Sequence, residues 1–191
     1  MEYIESEKIE SLELDKEFLE NKEYADCEFY KCRFTDSRIK NCTFVNCTFK
    51  QCFFSNVIFQ FSSMQNVELA DSMFIGFSWG EVKRKGHERP ILSVKDCVFK
   101  YNNFNEINMV KFDFRGSSFA ESCFESCNLT EVNFSAVSFA ATQFIDNNLL
   151  KADFRGATEY IVDIKSNKLK GARFSFPEAI NLLKHLGIII D

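Results

Sequence analysis

The chain has 191 residues, enough for one domain, with a net charge of −5 and 46% hydrophobic residues. Only 7 Gly and 2 Pro occur, which excludes a linker-like or low-complexity chain. No apolar run approaches the ~18 residues that span a bilayer, and an acidic balance disfavours nucleic acid as a direct partner because phosphate contacts dominate that affinity.

The opening Met1-Glu2-Tyr3-Ile4-Glu5 has neither the basic nor the apolar stretch of a signal peptide, so a cytoplasmic protein is expected. Ile4, Ile9, Leu14, Leu19 and Tyr24 then recur every fifth residue with acids crowded between them. Residues 1–23 read as a degenerate first coil or an N-terminal cap. From Cys27 the five-residue register becomes strict: Cys27-Glu28-Phe29, Cys32-Arg33-Phe34, Cys42-Thr43-Phe44, Cys47-Thr48-Phe49, Cys52-Phe53-Phe54. Of 23 Phe, 17 lie in this single register. Read from Ile4 to Phe174 it holds 35 positions, all apolar or aromatic except Arg84, Arg89 and Glu159. A period of five fits neither a helix nor a strand. It fits a solenoid, in which each repeat buries its apolar face only against its neighbours.

Seven of the 8 Cys share one slot, two residues before the inward residue: Cys27, Cys32, Cys42, Cys47, Cys52, Cys97 and Cys127. Ser37, Ser62, Ser72, Ser117, Ser122, Ala152 and Ala172 take the same slot. Small side chains tucked beside the Phe ladder explain this better than a metal or disulfide, since CxxC spacing is absent and Ala cannot ligate. Charge is unevenly placed: residues 1–28 hold 11 acids and 3 bases (−8), and residues 29–50 hold 5 bases and 1 acid (+4). Residues 81–100 hold 6 bases and 3 acids (+3), and residues 101–150 hold 2 bases and 6 acids (−4).

The pattern breaks first at residues 80–91, where Arg84 and Arg89 cannot enter an apolar core unpaired and Gly80, Gly86 and Pro90 are turn formers. A projecting loop is expected, with Trp79 at its base and Leu92 and Val94 re-entering the core. It reads either as a tolerated insertion or as a partner-binding loop through Trp79, Lys83, Arg84, Lys85 and Arg89. The register resumes at Cys97-Val98-Phe99, breaks again at Glu159, and ends at Phe174. Ser175-Phe176-Pro177-Glu178 reads as a capping box opening an α-helix through Leu186, with Gly187 as its stop. Residues 175–191 thus form a C-terminal helix and strand, too short to stand alone, and are expected to form a dimerisation module.

The quintets resemble the pentapeptide-repeat family, whose loose consensus is a small residue, Asp or Asn, Leu or Phe, then two polar positions. The resemblance implies an all-β solenoid over residues 1–174: a right-handed quadrilateral β-helix, closed by the short C-terminal α-helix. Four quintets make twenty residues. Positions twenty apart sort cleanly into Met109/Leu129/Leu149/Leu169, Phe114/Phe134/Phe154/Phe174, Phe99/Phe119/Phe139 and Phe104/Phe124/Phe144.

The tail from Asp163 to Ile188 is similar to that of the Qnr-type quinolone-resistance and microcin-immunity proteins of this family. That similarity implies a homodimer through Phe176, Ile180, Leu183, Leu186, Ile188 and Ile190. It also implies a DNA-mimicking rod that binds DNA gyrase or another type II topoisomerase and protects it from inhibitors. The other reading is a scaffold for a different protein partner. An enzyme is not expected: the only His are His87 and His185, and no catalytic motif occurs. No cofactor, metal, small-molecule substrate or membrane is expected.

Overall fold

The computed structural model describes residues 1–82 and 89–186, with side chains described through residue 183. The chain divides into two compact units, Met1–Asn102 and Asn103–Asp191.

In the first unit, strands of three or four residues recur at five-residue intervals, such as Lys8–Glu10, Glu13–Asp15 and Phe18–Glu20. Each pairs in parallel with the strand twenty residues on: Ile4 with Tyr24, Ile9 with Phe29, Leu14 with Phe34, Leu19 with Ile39. Twenty residues therefore close one coil of four sides. The middle residue of each strand points inward and the two flanking residues point out. Phe29, Phe34, Phe44 and Phe54 have no exposed surface. Their rings stack along the coil axis, Phe34 on Phe54 at 4.6 Å and Phe54 on Phe74 at 4.9 Å. That is the spacing of neighbouring strands. The degenerate first coil is a true coil, with Leu14 and Leu19 buried.

Every fifth residue turns a corner. From Ser6 to Asp71 these corners have φ between 47° and 57°, and none of them is glycine. The left-handed conformation aims each corner N–H at the next coil, as in Ser6 to Ala25 O, Ser11 to Tyr30 O and Lys16 to Thr35 O, all 2.9 Å. Asn and Asp tolerate this region best. They form side-chain ladders along the corners: Asn41 donates to Asn21 (3.2 Å), Asn46 to Asp26 (3.1 Å) and Asn56 to Asp36 (3.0 Å).

The cysteine slot has a function that packing alone misses. Its side chain lies between the carbonyl that ends the preceding strand and the carbonyl of the inward residue one coil back. The Ser37 hydroxyl is shared between Thr35 O (2.8 Å) and Leu14 O (3.1 Å). The Cys52 thiol is shared between Phe29 O (3.2 Å) and Lys50 O (3.5 Å). Asn102 fills the same slot, and its amide has two protons, one for Phe74 O (2.7 Å) and one for Lys100 O (2.8 Å).

One coil takes 25 residues instead of 20, pairing Phe74 with Phe99. The added residues leave the inward register intact. A bulge follows Val67, which pairs with Ile91, while Glu68 pairs with Ser93. Ile91, and not Leu92, therefore re-enters the core: Ile91 is 3% exposed and Leu92 50%.

The second unit repeats the scheme with one change. Two adjacent sides are hydrogen-bonded turns in place of strands: Phe112 N–H donates to Met109 O (3.1 Å), Val132 to Leu129 O (3.2 Å) and Val137 to Phe134 O (3.2 Å). On these sides an Asn or Asp precedes the inward residue and accepts from the N–H two residues on. Asp113 holds Arg115, Asn133 holds Ser135 and Asp153 holds Arg155, at 3.0–3.1 Å. Such side chains favour turns because they mimic a backbone acceptor. No described residue at this outward position in the first unit is Asn or Asp, and its sides stay extended.

Glu159 does not enter the core. It adopts φ 59° on the surface, a register shift follows, and Tyr160 pairs with Thr142. Tyr160 is 4% exposed, its ring 5.5 Å from Phe154 and 5.7 Å from Phe174. The terminal helical segment, Glu178–Leu186, is wound as 3-10 turns and lies against Thr158–Val162. The capping box does not form. The Ser175 hydroxyl accepts from Gly156 N–H (3.1 Å), and the Glu178 carboxylate accepts from the Asn181 amide (2.9 Å).

Substituting Phe134, stacked 5.3 Å from Phe114 and tilted 5.1 Å from Phe154, tests the core. Phe134→Ala is expected to cost about 3–5 kcal/mol, and Phe134→Asp to abolish folding. Asn147→Ala removes the donor to Phe124 O and the acceptor for Cys127 N–H. It should cost at least about 2 kcal/mol, because each orphaned group costs about 1–3 kcal/mol. Cys52→Ala should cost about half as much, since a thiol donates weakly. Denaturant midpoints of the three variants check the order.

Candidate functional site

No group of three or more His, Cys, Asp or Glu among the described residues is placed to hold a metal. His87 lies outside the described residues, and so does the side chain of His185. Seven cysteines are buried and Cys123 is half-buried, all as free thiols. Burial pushes the Cys47 thiol up to about 12 and that of Cys97 to about 11. These groups stay protonated and able to donate at neutral pH.

Of the loop residues, Trp79 requires a correction. It is 1% exposed, packed 4.4 Å from Phe77, and its indole N–H donates to Asn102 Oδ1 (3.0 Å). It is part of the core and presents no surface to a partner. Lys83, Arg84 and Lys85 lie outside the described residues. Arg89 is exposed, and its carbonyl accepts from Asn66 N–H (2.8 Å). Of the dimer residues, Phe176 is 81% exposed, and Ile180 and Leu183 are half-buried. Ile188 and Ile190 lie outside the described residues, as does the side chain of Leu186.

The uneven charge along the sequence takes on a different meaning once the coils stack. The acids of residues 1–20 sit one coil from the bases of residues 22–40. Lys22 pairs with Glu2 at 2.7 Å, Lys40 with Glu20 at 3.6 Å, and Arg33 lies in register with Glu13. The −8 segment is thus answered in part by its neighbour.

In the second unit, folding separates charges that alternate along the chain. The two turn-built sides carry Lys111, Arg115, Lys151, Arg155, Lys168, Lys170 and Arg173 against Asp113, Glu131 and Asp153. Glu131 is held between Lys111 and Lys151, 3.7 Å from each. Asp113 and Asp153 each bind their own arginine in a fork, with Nη2–Oδ2 distances of 2.6 Å, which lowers both carboxyl pKa values. The other two sides carry Glu106, Glu121, Glu125, Asp146, Glu159 and Asp163 against Lys165. One half of this unit's surface is basic and the other half acidic. Two open grooves lie on it. One, of about 520 Å³, is lined by Glu131, Asn133, Lys151, Asp153, Gly171 and Arg173. The other, of about 370 Å³, is lined by Glu121, Ser122, Cys123, Ala141 and Gln143.

Stacked quintets, inward Phe and left-handed corners define a parallel β-solenoid of five-residue repeats. The family of pentapeptide repeats matches the chain in eight copies over residues 103–135 and 122–158. These are the coils where Asn or Asp precedes the inward residue. No curated protein matches the sequence. Among solved structures, the chain is similar in fold to QnrB1, a plasmid-mediated fluoroquinolone resistance protein (15% identity, 97% of this chain and 100% of that chain, TM-score 0.42). It is also similar to HetL, a pentapeptide repeat protein involved in heterocyst differentiation regulation from the cyanobacterium Nostoc sp. strain PCC 7120 (11%, 89% and 86%, TM-score 0.36). A third is the pentapeptide repeat protein Rfr23 from the cyanobacterium Cyanothece 51142 (10%, 91% and 88%, TM-score 0.27).

Alkylation of the native protein at pH 8, read by peptide mass spectrometry, should modify Cys123 first and leave the seven slot thiols intact until the chain unfolds. Stoichiometric zinc in the purified protein, or rapid labelling of Cys27 or Cys47, would contradict the donor role.

Proposed function

We propose that this protein is a non-catalytic binding rod whose acidic surface in the second unit receives a basic surface of another protein. The observation that carries this reading is the segregation of Glu106, Glu121, Glu125, Asp146, Glu159 and Asp163 onto two adjacent sides. Such complementarity speeds association and selects partners. The partner that fits best is DNA gyrase or another type II topoisomerase. Its DNA-binding saddle is basic, and the Asp163–Ile188 tail resembles that of gyrase-protecting proteins. The loop, through Lys83, Arg84, Lys85 and Arg89, then touches a neighbouring acidic surface, with Trp79 holding its base. The purified protein should relieve quinolone inhibition of gyrase supercoiling, or inhibit supercoiling itself at higher dose. Glu121→Lys with Glu125→Lys and Asp146→Lys should abolish either effect, and raised salt should weaken it. If wild-type protein neither protects nor inhibits and pulls down neither gyrase subunit, the partner is a different protein.

Assembly as a homodimer through Phe176, Ile180, Leu183, Leu186, Ile188 and Ile190 belongs to the same proposal. The support is Phe176, a large apolar side chain left 81% exposed beside a helical segment too short to be stable alone. Sedimentation should show a dimer at micromolar concentration, and Phe176→Asp with Leu183→Asp should leave a folded monomer.

A further inference from the structure

The acidic half of the second unit has relief as well as charge. It holds the groove of about 370 Å³ lined by Glu121, Ser122, Cys123, Ala141 and Gln143. Coil stacking makes this groove. Cys123 pairs in register with Gln143, so their outward side chains neighbour one another and form the floor. The wall is a column of corners. Its left-handed residues run Tyr101, Glu121, Ala141 and Glu159 from coil to coil, with φ between 48° and 59°. The register shift that pairs Thr142 with Tyr160 is what brings Glu159 beside Ala141. Three of these four corners carry long side chains, and Ala141 is the gap between two carboxylates. Asn and Asp tolerate a left-handed corner best. Alanine gains nothing there, so its effect is to leave room.

The polar groups around the gap differ in what they have left to offer. The Ser122 hydroxyl is spent on Ala120 O (2.9 Å). Burial raises the pKa of the Cys123 thiol, and the Glu125 carboxylate close to it raises it further, so the floor is neutral at physiological pH. The salt bridges of the second unit engage Asp113, Glu131 and Asp153, all on the other two sides. Among the described residues, no lysine or arginine lies within salt-bridge distance of Glu121 or Glu125. The carboxylates at the groove therefore keep their charge for a ligand.

These groups select the occupant. A metal ion is poorly served, since no three ligating side chains converge among the described residues. A carboxylate beside a carboxamide suits a cation that donates several hydrogen bonds in one plane. A guanidinium has five N–H donors in a fixed fork. Two can meet the Glu121 carboxylate side by side, and another can reach the Gln143 carbonyl. A lysine ammonium is a compact, strongly hydrated point charge that does not match this planar set. The adjoining side brings Ala120 and Ala140 up to the same corner. Their short side chains let a partner's backbone come close enough for an arginine to reach in.

On the footing that the acidic sides receive a basic surface, we infer that this groove takes one arginine side chain of the protein partner, with Glu121 and Gln143 binding the guanidinium in the space left by Ala141. Cys123, on the floor, reports occupancy. Its alkylation by iodoacetamide at pH 8 is followed in the full-length protein by peptide mass spectrometry. N-acetyl-arginine amide or N-acetyl-lysine amide is present at equal concentration and ionic strength. The arginine compound should slow labelling by about threefold or more, and the lysine compound should leave it nearly unchanged. Ala141→Leu fills the groove and should remove the difference. Glu121→Gln keeps the shape and should remove it too, so a folding defect in one variant leaves the other to decide. Equal slowing by both compounds, slowing by neither, or an arginine effect that survives both variants overturns the inference. The supercoiling assay separates the groove from the choice of partner. Arginine shielding of Cys123 without any effect on gyrase upholds the groove and points to a different arginine-bearing protein. Gyrase protection that is equal for wild type and Ala141→Leu upholds the acidic surface and sinks the groove.

Discussion

Everything in this molecule depends on a chain that turns a right-angled corner every fifth residue. The corner needs φ near 50°, a region that costs a non-glycine residue of order 1–3 kcal/mol, and most corners here are not glycine. The conformation persists because each corner N–H is captured by the coil beyond it. The rings inside stack at 4.5–5.5 Å from one coil to the next. Neither half is stable alone. A corner without a following coil is a strained turn, and a Phe column without corners has no scaffold. This mutual dependence makes stability a property of neighbours.

The same geometry creates an inventory problem for the backbone, because inward residues carry carbonyls into a dry interior. The slot two residues before the inward position answers it from the side chain. Thiol, hydroxyl and carboxamide differ in size, yet all donate a proton, which explains why Cys52, Ser37 and Asn102 can occupy equivalent places. Asn147 and Asn167 also accept from the coil beneath, Asn147 from Cys127 N–H and Asn167 from Asn147 N–H. The column becomes a continuous chain of donors and acceptors parallel to the aromatic stack.

The register of Phe made the fold legible, because inward positions tolerate almost nothing else and the period shows without any alignment. The slot was legible only in part. Cys and Ser invite a reading by size, and the presence of Asn102, Asn147 and Asn167 was the signal for hydrogen bonding. Local exceptions escaped because they turn on one or two residues: Tyr160 replacing Glu159 after a register shift, and Ile91 replacing Leu92 at a bulge. Trp79 reads from the sequence as part of a partner-binding loop, but its indole N–H donates to an asparagine 23 residues away. Surface charge was the least legible. Glu2 and Lys22, or Glu131 and Lys151, become partners only when the twenty-residue closure is laid over the sequence.

The residues between Trp79 and Ile91 are inserted in a coil that resumes in phase, with Phe99 stacked 5.5 Å from Phe74. The solenoid behaves here like a text with a reading frame. It registers where the main line leaves off and where it restarts, and does not read what stands between. What fixes the frame is the buried indole on one side and the bulged strand on the other. This corner is therefore a natural graft point, where foreign sequence of varied length and chemistry can be displayed without altering any coil above or below.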